Sequence, residues 1–120
     1  MKTILIVDNE PSNLDVLTIT MEMEGYMVAT LPDGKGFIKL VRKIQPNLII
    51  LDIELGEHDG RLLCKELKSL DVTKHIPVII VSASSETKIG SAFEYGADCV
   101  VLKPFDIDEL LKETRSLLNR

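Results

Sequence analysis

Asn47-Leu48-Ile49-Ile50-Leu51-Asp52 is the stretch on which the fold turns. Four consecutive aliphatic residues without polar alternation describe a strand covered on both faces, as in the middle of a parallel sheet. The run ends on a carboxylate, for which a buried strand has no packing use. Three other apolar runs also end on chemistry. Ile4-Leu5-Ile6-Val7 stops at Asp8-Asn9-Glu10, Pro77-Val78-Ile79-Ile80-Val81 at Ser82, and Val100-Val101-Leu102 at Lys103-Pro104. In open parallel α/β sheets, ligands sit outside the carboxyl ends of the strands. Acids, a hydroxyl and an ammonium are therefore expected to share one edge.

Between these runs lie helical patterns. Pro11 suits an early helical position, and Leu14, Leu17, Thr18 and Met21 mark a face that stops at Gly25. Residues 26–30 form a short, mixed strand better placed at an edge. Asp33-Gly34 makes a turn, and Phe37, Ile38, Leu40, Val41 and Ile44 line a second helix ending before Pro46. A polar loop over 54–60 leads to a third helix carrying Leu62, Leu63, Glu66 and Leu67. Residues 86–95 form a fourth helix closed by Gly96. Residues 99–102 form the last strand and 106–118 the last helix, with Ile107, Leu110, Leu111 and Leu117 inward. Strands alternating with helices imply βαβ units, hence a five-stranded parallel α/β sheet with helices on both faces.

The bulk numbers fit one such domain over residues 1–120. The chain is 45% hydrophobic and 28% charged, enough to bury a core. Net charge is −5 and aromatic residues are 4%, which argues against phosphate-tracking or base-stacking contacts with nucleic acid. Cys64 and Cys99 lack metal-ligand spacing and sit in apolar elements, as small hydrophobes do. The first apolar run reaches Asp8 too soon for a signal peptide, and no run approaches a membrane span. The expected compartment is the cytoplasm.

If the first and third strands are neighbours, Asp8, Asn9 and Asp52 surround one oxygen-lined hole. Mg²⁺ is bound by one or two carboxylates plus carbonyls, waters and phosphate. A carboxylate beside such a cation can attack a phosphoryl group and become an aspartyl-phosphate. The transition state needs cations and donors around its oxygens, which Lys103 and Ser82 offer. Each residue also has a plainer explanation: Asp8 or Ser82 as helix caps, Lys103 as a solvated lysine. Four coincidences on one predicted edge favour a site.

The chain resembles the receiver domain of two-component response regulators. The resemblance covers essentially the whole chain and rests on "ILIVDNEPSN", "PNLIILDIEL", "HDG", "PVIIVSAS", "YGADCVVLKPF" and the closing helix. It implies a flavodoxin-like (βα)5 fold with strand order 2-1-3-4-5. It also implies that Asp52 accepts a phosphoryl group from a histidine kinase or histidine phosphotransfer protein. Asp8 and Asn9 match the acidic pair that holds Mg²⁺, with Asp52 and the backbone carbonyl of Glu54 completing the ligands. Ser82 matches the switch hydroxyl and Lys103 the phosphate-pairing lysine, on a Lys103–Pro104 bond that is often cis in the family. The altered surface of the last two helices and strand would signal to a downstream effector protein. The chain would be a monomer or a phosphorylation-dependent dimer, without an output domain, and not an enzyme beyond its own phosphotransfer and dephosphorylation.

Three positions depart from the family pattern. Asn9 stands where an Asp usually contacts Mg²⁺, so the site loses one negative charge and weaker Mg²⁺ binding is expected. Val100 replaces a Tyr or Phe whose rotamer follows the switch hydroxyl; Phe93 and Tyr95 nearby are expected to pack. Gly56 replaces a common Pro and predicts a looser loop. Gly60 keeps the family's glycine. Glu54 and Ser84 sit at rim positions that influence water access. Asn9 and Val100 together keep a second function open, a pseudo-receiver working by protein contacts alone. A haloacid-dehalogenase-type phosphatase is disfavoured because Asp8-Asn9-Glu10 lacks the second Asp. Gly34-Lys35-Gly36 lacks the spacing of a nucleotide-phosphate loop.

Overall fold

The computed structural model describes residues 1–83 and 86–119, with the backbone alone for 86–89. In chain order the elements are β1 (Thr3–Val7), α1 (Pro11–Met23), β2 (Met27–Leu31), α2 (Phe37–Ile44), β3 (Leu48–Asp52), β4 (Glu54–Leu55), β5 (His58–Asp59), α3 (Gly60–Ser69), β6 (Val78–Ser82), α4 (Glu86–Glu94), β7 (Cys99–Leu102) and α5 (Ile107–Leu118). The five longer strands form one parallel sheet in the order β2-β1-β3-β6-β7. Counted without the two short strands, this is the expected order 2-1-3-4-5, with the mixed strand β2 at an edge.

Strand alternation divides the core into two layers. Leu5, Val7, Ile49, Leu51, Val78 and Ile80 face α2, α3 and α4, meeting Phe37, Val41, Cys64, Leu67 and Ala92. Ile4, Ile6, Leu48, Ile50, Ile79 and Val81 face α1 and α5, meeting Leu17, Met21, Leu110 and Leu117. Every residue of β3 and β6 is buried, because a strand with helices on both sides has no solvent face. Local chemistry sets the ends of the helices. Pro11 opens α1, Asp59 caps α3 by accepting from Arg61 N, and Asp106 caps α5 by accepting from Asp108 N.

Register fixes the edge on which the strands end. Val7 is level with Leu51, so Asp8 and Asp52 follow side by side. Asp52 is level with Val81, and Ser82 with Leu102, which immediately precedes Lys103.

Two expectations need correction. The polar segment after β3 is an antiparallel hairpin pairing Glu54 with Asp59 and Leu55 with His58. Two-residue strands are too short to show periodicity. Gly56, at φ +69°, begins the tight turn and serves a left-handed backbone that proline cannot adopt. Phe93 was expected to pack, yet it is 53% exposed, and Leu62, one of the apolar residues named on the third helix, is 55% exposed. On α3 the buried face runs through Cys64 and Leu67, and on α4 through Ala92.

Candidate functional site

Asp8 follows the last residue of β1 and is buried. Its Oδ1 accepts from Glu10 N at 2.9 Å, so the carboxylate shapes the turn into α1; the helix itself starts after Glu10 without a side-chain cap. Asp52 ends β3, also buried, and its Oδ1 accepts from Glu54 N at 3.2 Å. The second oxygens of both carboxylates meet one ammonium. Lys103 Nζ donates to Asp52 Oδ2 at 2.9 Å and to Asp8 Oδ2 at 3.2 Å. The Lys103 backbone N–H bonds Ser82 O at 2.8 Å, which holds the residue beside the end of β6; its peptide bond to Pro104 is cis. Ser82 is fully buried at the end of β6.

Asp52 and Lys103 form the floor of an open cavity of about 420 Å³, with Asn9, Glu54 and Gly56 on its rim. Asn9 and Glu54 are exposed. Ser84 lies outside the described residues. The sequence-predicted residues Asp8, Asn9, Asp52, Glu54, Ser82 and Lys103 thus gather at one sheet edge.

Electrostatics follow from the burial. Burial pushes the Asp52 carboxyl pKa up, and the nearby Asp8 charge adds to that, while Lys103 and the Glu54 N–H pull it down. Burial works against the Lys103 ammonium, but its bonds to Asp52 and Asp8 outweigh this and hold its pKa above the ordinary lysine value. Lys103 is therefore a fixed positive charge. Among the described residues, two carboxylates face one ammonium, a formal excess of negative charge.

That excess suits a hard divalent cation. Among the described residues, no three His, Cys, Asp or Glu side chains gather into an all-protein metal cage. Two carboxylates, the Asn9 amide and the Glu54 carbonyl are instead an all-oxygen set of the partial kind Mg²⁺ uses, completed by water and phosphate.

Gly60 has a geometric reason to be glycine. A Cβ there would lie 2.0 Å from the carbonyl oxygen of Asp52, while Gly60 N bonds Ile53 O at 2.7 Å. The hairpin after Asp52 is folded back onto the strand that carries it. Val100 packs half-buried against the core layer of Leu51 and Ile80, so that position supplies aliphatic packing.

The sequence reading missed a second set of contacts beside the site. Arg61 binds Asp59 through two nitrogens and reaches Ser91 Oγ on α4 at 2.7 Å. The sequence reading used Asp59 only within the motif "HDG", and nothing in the sequence signalled the reach of Arg61 to α4.

A flavodoxin-like α/β sheet with paired carboxylates and a lysine at its carboxyl edge defines the class of protein. The chain belongs to the response regulator receiver domain family, whose sequence model matches residues 4–115. It is 39% identical, over its whole length and 50% of the relative's, to the DNA-binding dual master transcriptional regulator RpaA of Synechocystis. It is 34% identical to the DNA-binding response regulator MtrA of Mycolicibacterium smegmatis, across 98% of this chain and 50% of MtrA. The chain thus spans about half the length of the curated relatives it matches. Among solved structures, a putative response regulator from Chloroflexus aurantiacus superposes with a TM-score of 0.94 at 28% identity, covering 99% of this chain and 98% of that one. The response regulator TrrA of Thermotoga maritima, in complex with Mg²⁺–BeF, gives 0.87 at 31% identity, covering 98% of this chain and 99% of TrrA. Among the described residues, no helix is long and apolar enough to cross a membrane.

Proposed function

We propose that residues 1–120 act as one phosphoacceptor switch in which Asp52 takes a phosphoryl group from the phosphohistidine of a histidine kinase or phosphotransfer protein. The observation that carries this reading is the Lys103 ammonium held between the Asp8 and Asp52 carboxylates on the open edge of the sheet. An Asp52 oxygen attacks phosphorus in line, the P–N bond breaks, and the departing imidazole keeps the electron pair and takes up a proton. The product is a mixed anhydride on the strand end. Lys103, already charged, then pairs with phosphoryl oxygens instead of the bare carboxylate, and the Ser82 hydroxyl offers a further donor.

Asp8, Asn9, Asp52 and the Glu54 carbonyl are the residues that would hold Mg²⁺. When bound, Mg²⁺ supplies the second positive charge that the transferring phosphoryl oxygens require. Asn9 contributes a neutral amide where a carboxylate would add charge, so this site is expected to bind Mg²⁺ more weakly than one with an Asp there. The new charge on Asp52 biases the α4–β7–α5 surface between two arrangements, and a downstream effector, in the same chain or another, responds. The cytoplasm, where kinases and Mg²⁺ are present, is the compartment this reading requires. The test is intact mass after incubation with acetyl phosphate and Mg²⁺, beside an Asp52→Ala control. A Mg²⁺-dependent phosphoryl adduct that is lost in the control supports the switch; no adduct at any Mg²⁺ concentration supports the pseudo-receiver.

A further inference from the structure

The hairpin after Asp52 sets two carboxylates against each other and places a guanidinium beside one of them. Glu54 and Asp59 lie directly opposite each other across β4 and β5, and like charges so placed oppose strand pairing. Arg61 compensates. Its Nε donates to Asp59 Oδ1 at 3.0 Å and one terminal nitrogen to Oδ2 at 2.6 Å, while its backbone N–H bonds the same Oδ1 at 2.9 Å. The other terminal nitrogen donates to Ser91 Oγ on α4 at 2.7 Å, and the guanidinium carbon lies 5.9 Å from the centre of the Tyr95 ring. Glu54, on the strand thus held, donates its N–H to Asp52 Oδ1 and borders the cavity. The Arg61 guanidinium thus joins the segment that shapes the acceptor carboxylate to α4, which packs on the same face of the sheet as α3.

We infer that Arg61 is a positioning residue for phosphoryl transfer, cancelling the carboxylate opposite Glu54 and tying the Asp52 hairpin to α4. The inference rests on the phosphoacceptor reading. Its two arms are separable: the Asp59 arm keeps Glu54 in place beside Asp52, and the Ser91 arm fixes the hairpin against α4. A lysine, with one compact charge, cannot fork onto Asp59 and reach Ser91 together.

The experiment compares the wild type with Arg61→Ala, Arg61→Lys, Ser91→Ala and the double variant Arg61→Ala/Asp59→Asn. Three quantities are measured: the rate of adduct formation from acetyl phosphate at several Mg²⁺ concentrations, hydrogen exchange of the hairpin and α4 amides, and urea stability. Arg61→Ala is expected to slow adduct formation roughly threefold to tenfold, on the scale of couplings within a contact network, and to raise exchange in both hairpin and α4. The double variant keeps an α3 cap and removes the opposed charge, so it should recover most of the rate and the hairpin protection but not that of α4. Ser91→Ala should raise α4 exchange alone, and Arg61→Lys should fall between wild type and Arg61→Ala. If Arg61→Ala forms adduct at the wild-type rate, or the double variant recovers nothing, the positioning role is overturned while the phosphoacceptor reading stands. Lower urea stability with uniform exchange and an unchanged rate would likewise reduce Arg61 to a structural residue. A wild type that forms no adduct overturns both.

Discussion

Two lysine–aspartate clusters sit at opposite ends of the same sheet and do different things. At the amino end, Lys68 Nζ donates to Asp98 Oδ2 at 3.0 Å and to the Ile76 carbonyl at 2.7 Å, while the same Asp98 oxygen accepts from Val78 N at 2.8 Å. Among the described residues, Lys68 and Asp98 pair, and both also bond backbone groups where β6 begins. At the carboxyl end, Lys103 meets two carboxylates over an open cavity. Buried polar groups are tolerated when their charges and hydrogen bonds are satisfied. The amino-end cluster meets that condition and acts as a clasp. The carboxyl-end cluster sets two carboxylates against one ammonium at the mouth of a cavity, and under the phosphoacceptor reading a further cation would balance it before a phosphoryl group arrives.

The contrast breaks most sharply at Lys103. Lys103→Ala should slow adduct formation from acetyl phosphate about a hundredfold, the usual cost of removing one donor to a developing oxyanion. A loss below about threefold would show that the lysine serves packing. Lys68→Ala should do the reverse: urea denaturation should show a loss of about 2 kcal/mol, below the full cost of breaking a deeply buried pair because each partner is about one-fifth exposed. Its rate of adduct formation should equal the wild type's; a slower rate would make the two ends interdependent.

Asn9→Asp sharpens the comparison by adding charge only at the carboxyl end. Calorimetric titration should show Mg²⁺ affinity rising roughly tenfold, the order expected for one added carboxylate near a partly hydrated cation. Equal affinities would remove Asn9 from the metal site. The smallest effect concerns Cys64, whose thiol is pushed up to about 11, mainly by burial, with Lys68 and Asp98 pulling in opposite directions. Burial also raises the Cys99 thiol to about 11, helped by Glu113. Both thiols stay protonated at pH 8, so mass spectrometry should find alkylation of the folded chain slow. Between pH 9 and 11 the unfolded chain ionises first, so it holds fewer protons and folding stability falls across that window.

The aliphatic runs ending at Asp8, Asp52, Ser82 and Lys103 made the carboxyl edge legible from sequence, because a residue just beyond a buried strand has few places to go. The hairpin was not legible, since two residues per strand leave no period to detect. Leu62 and Phe93 misled for a related reason. On α3, Leu62, Leu63 and Cys64 are all apolar, and only the rotation of the helix against the sheet decides which faces inward. Lys68–Asp98 and Arg61–Ser91 each join residues 30 apart, and one-dimensional spacing carries no signal for such pairs.

By itself, the sequence determined the alternation of strands and helices, the two-sided burial of β3 and β6, and the residues at the strand ends. These follow from hydrophobic periods and turn residues, which act over a few positions of chain. Tertiary structure decided that Asp8 and Asp52 share one ammonium, that Gly60 presses on the Asp52 carbonyl, and that the hairpin is bound to α4. Those contacts depend on strand neighbours and helix rotation, which only packing of the whole core sets.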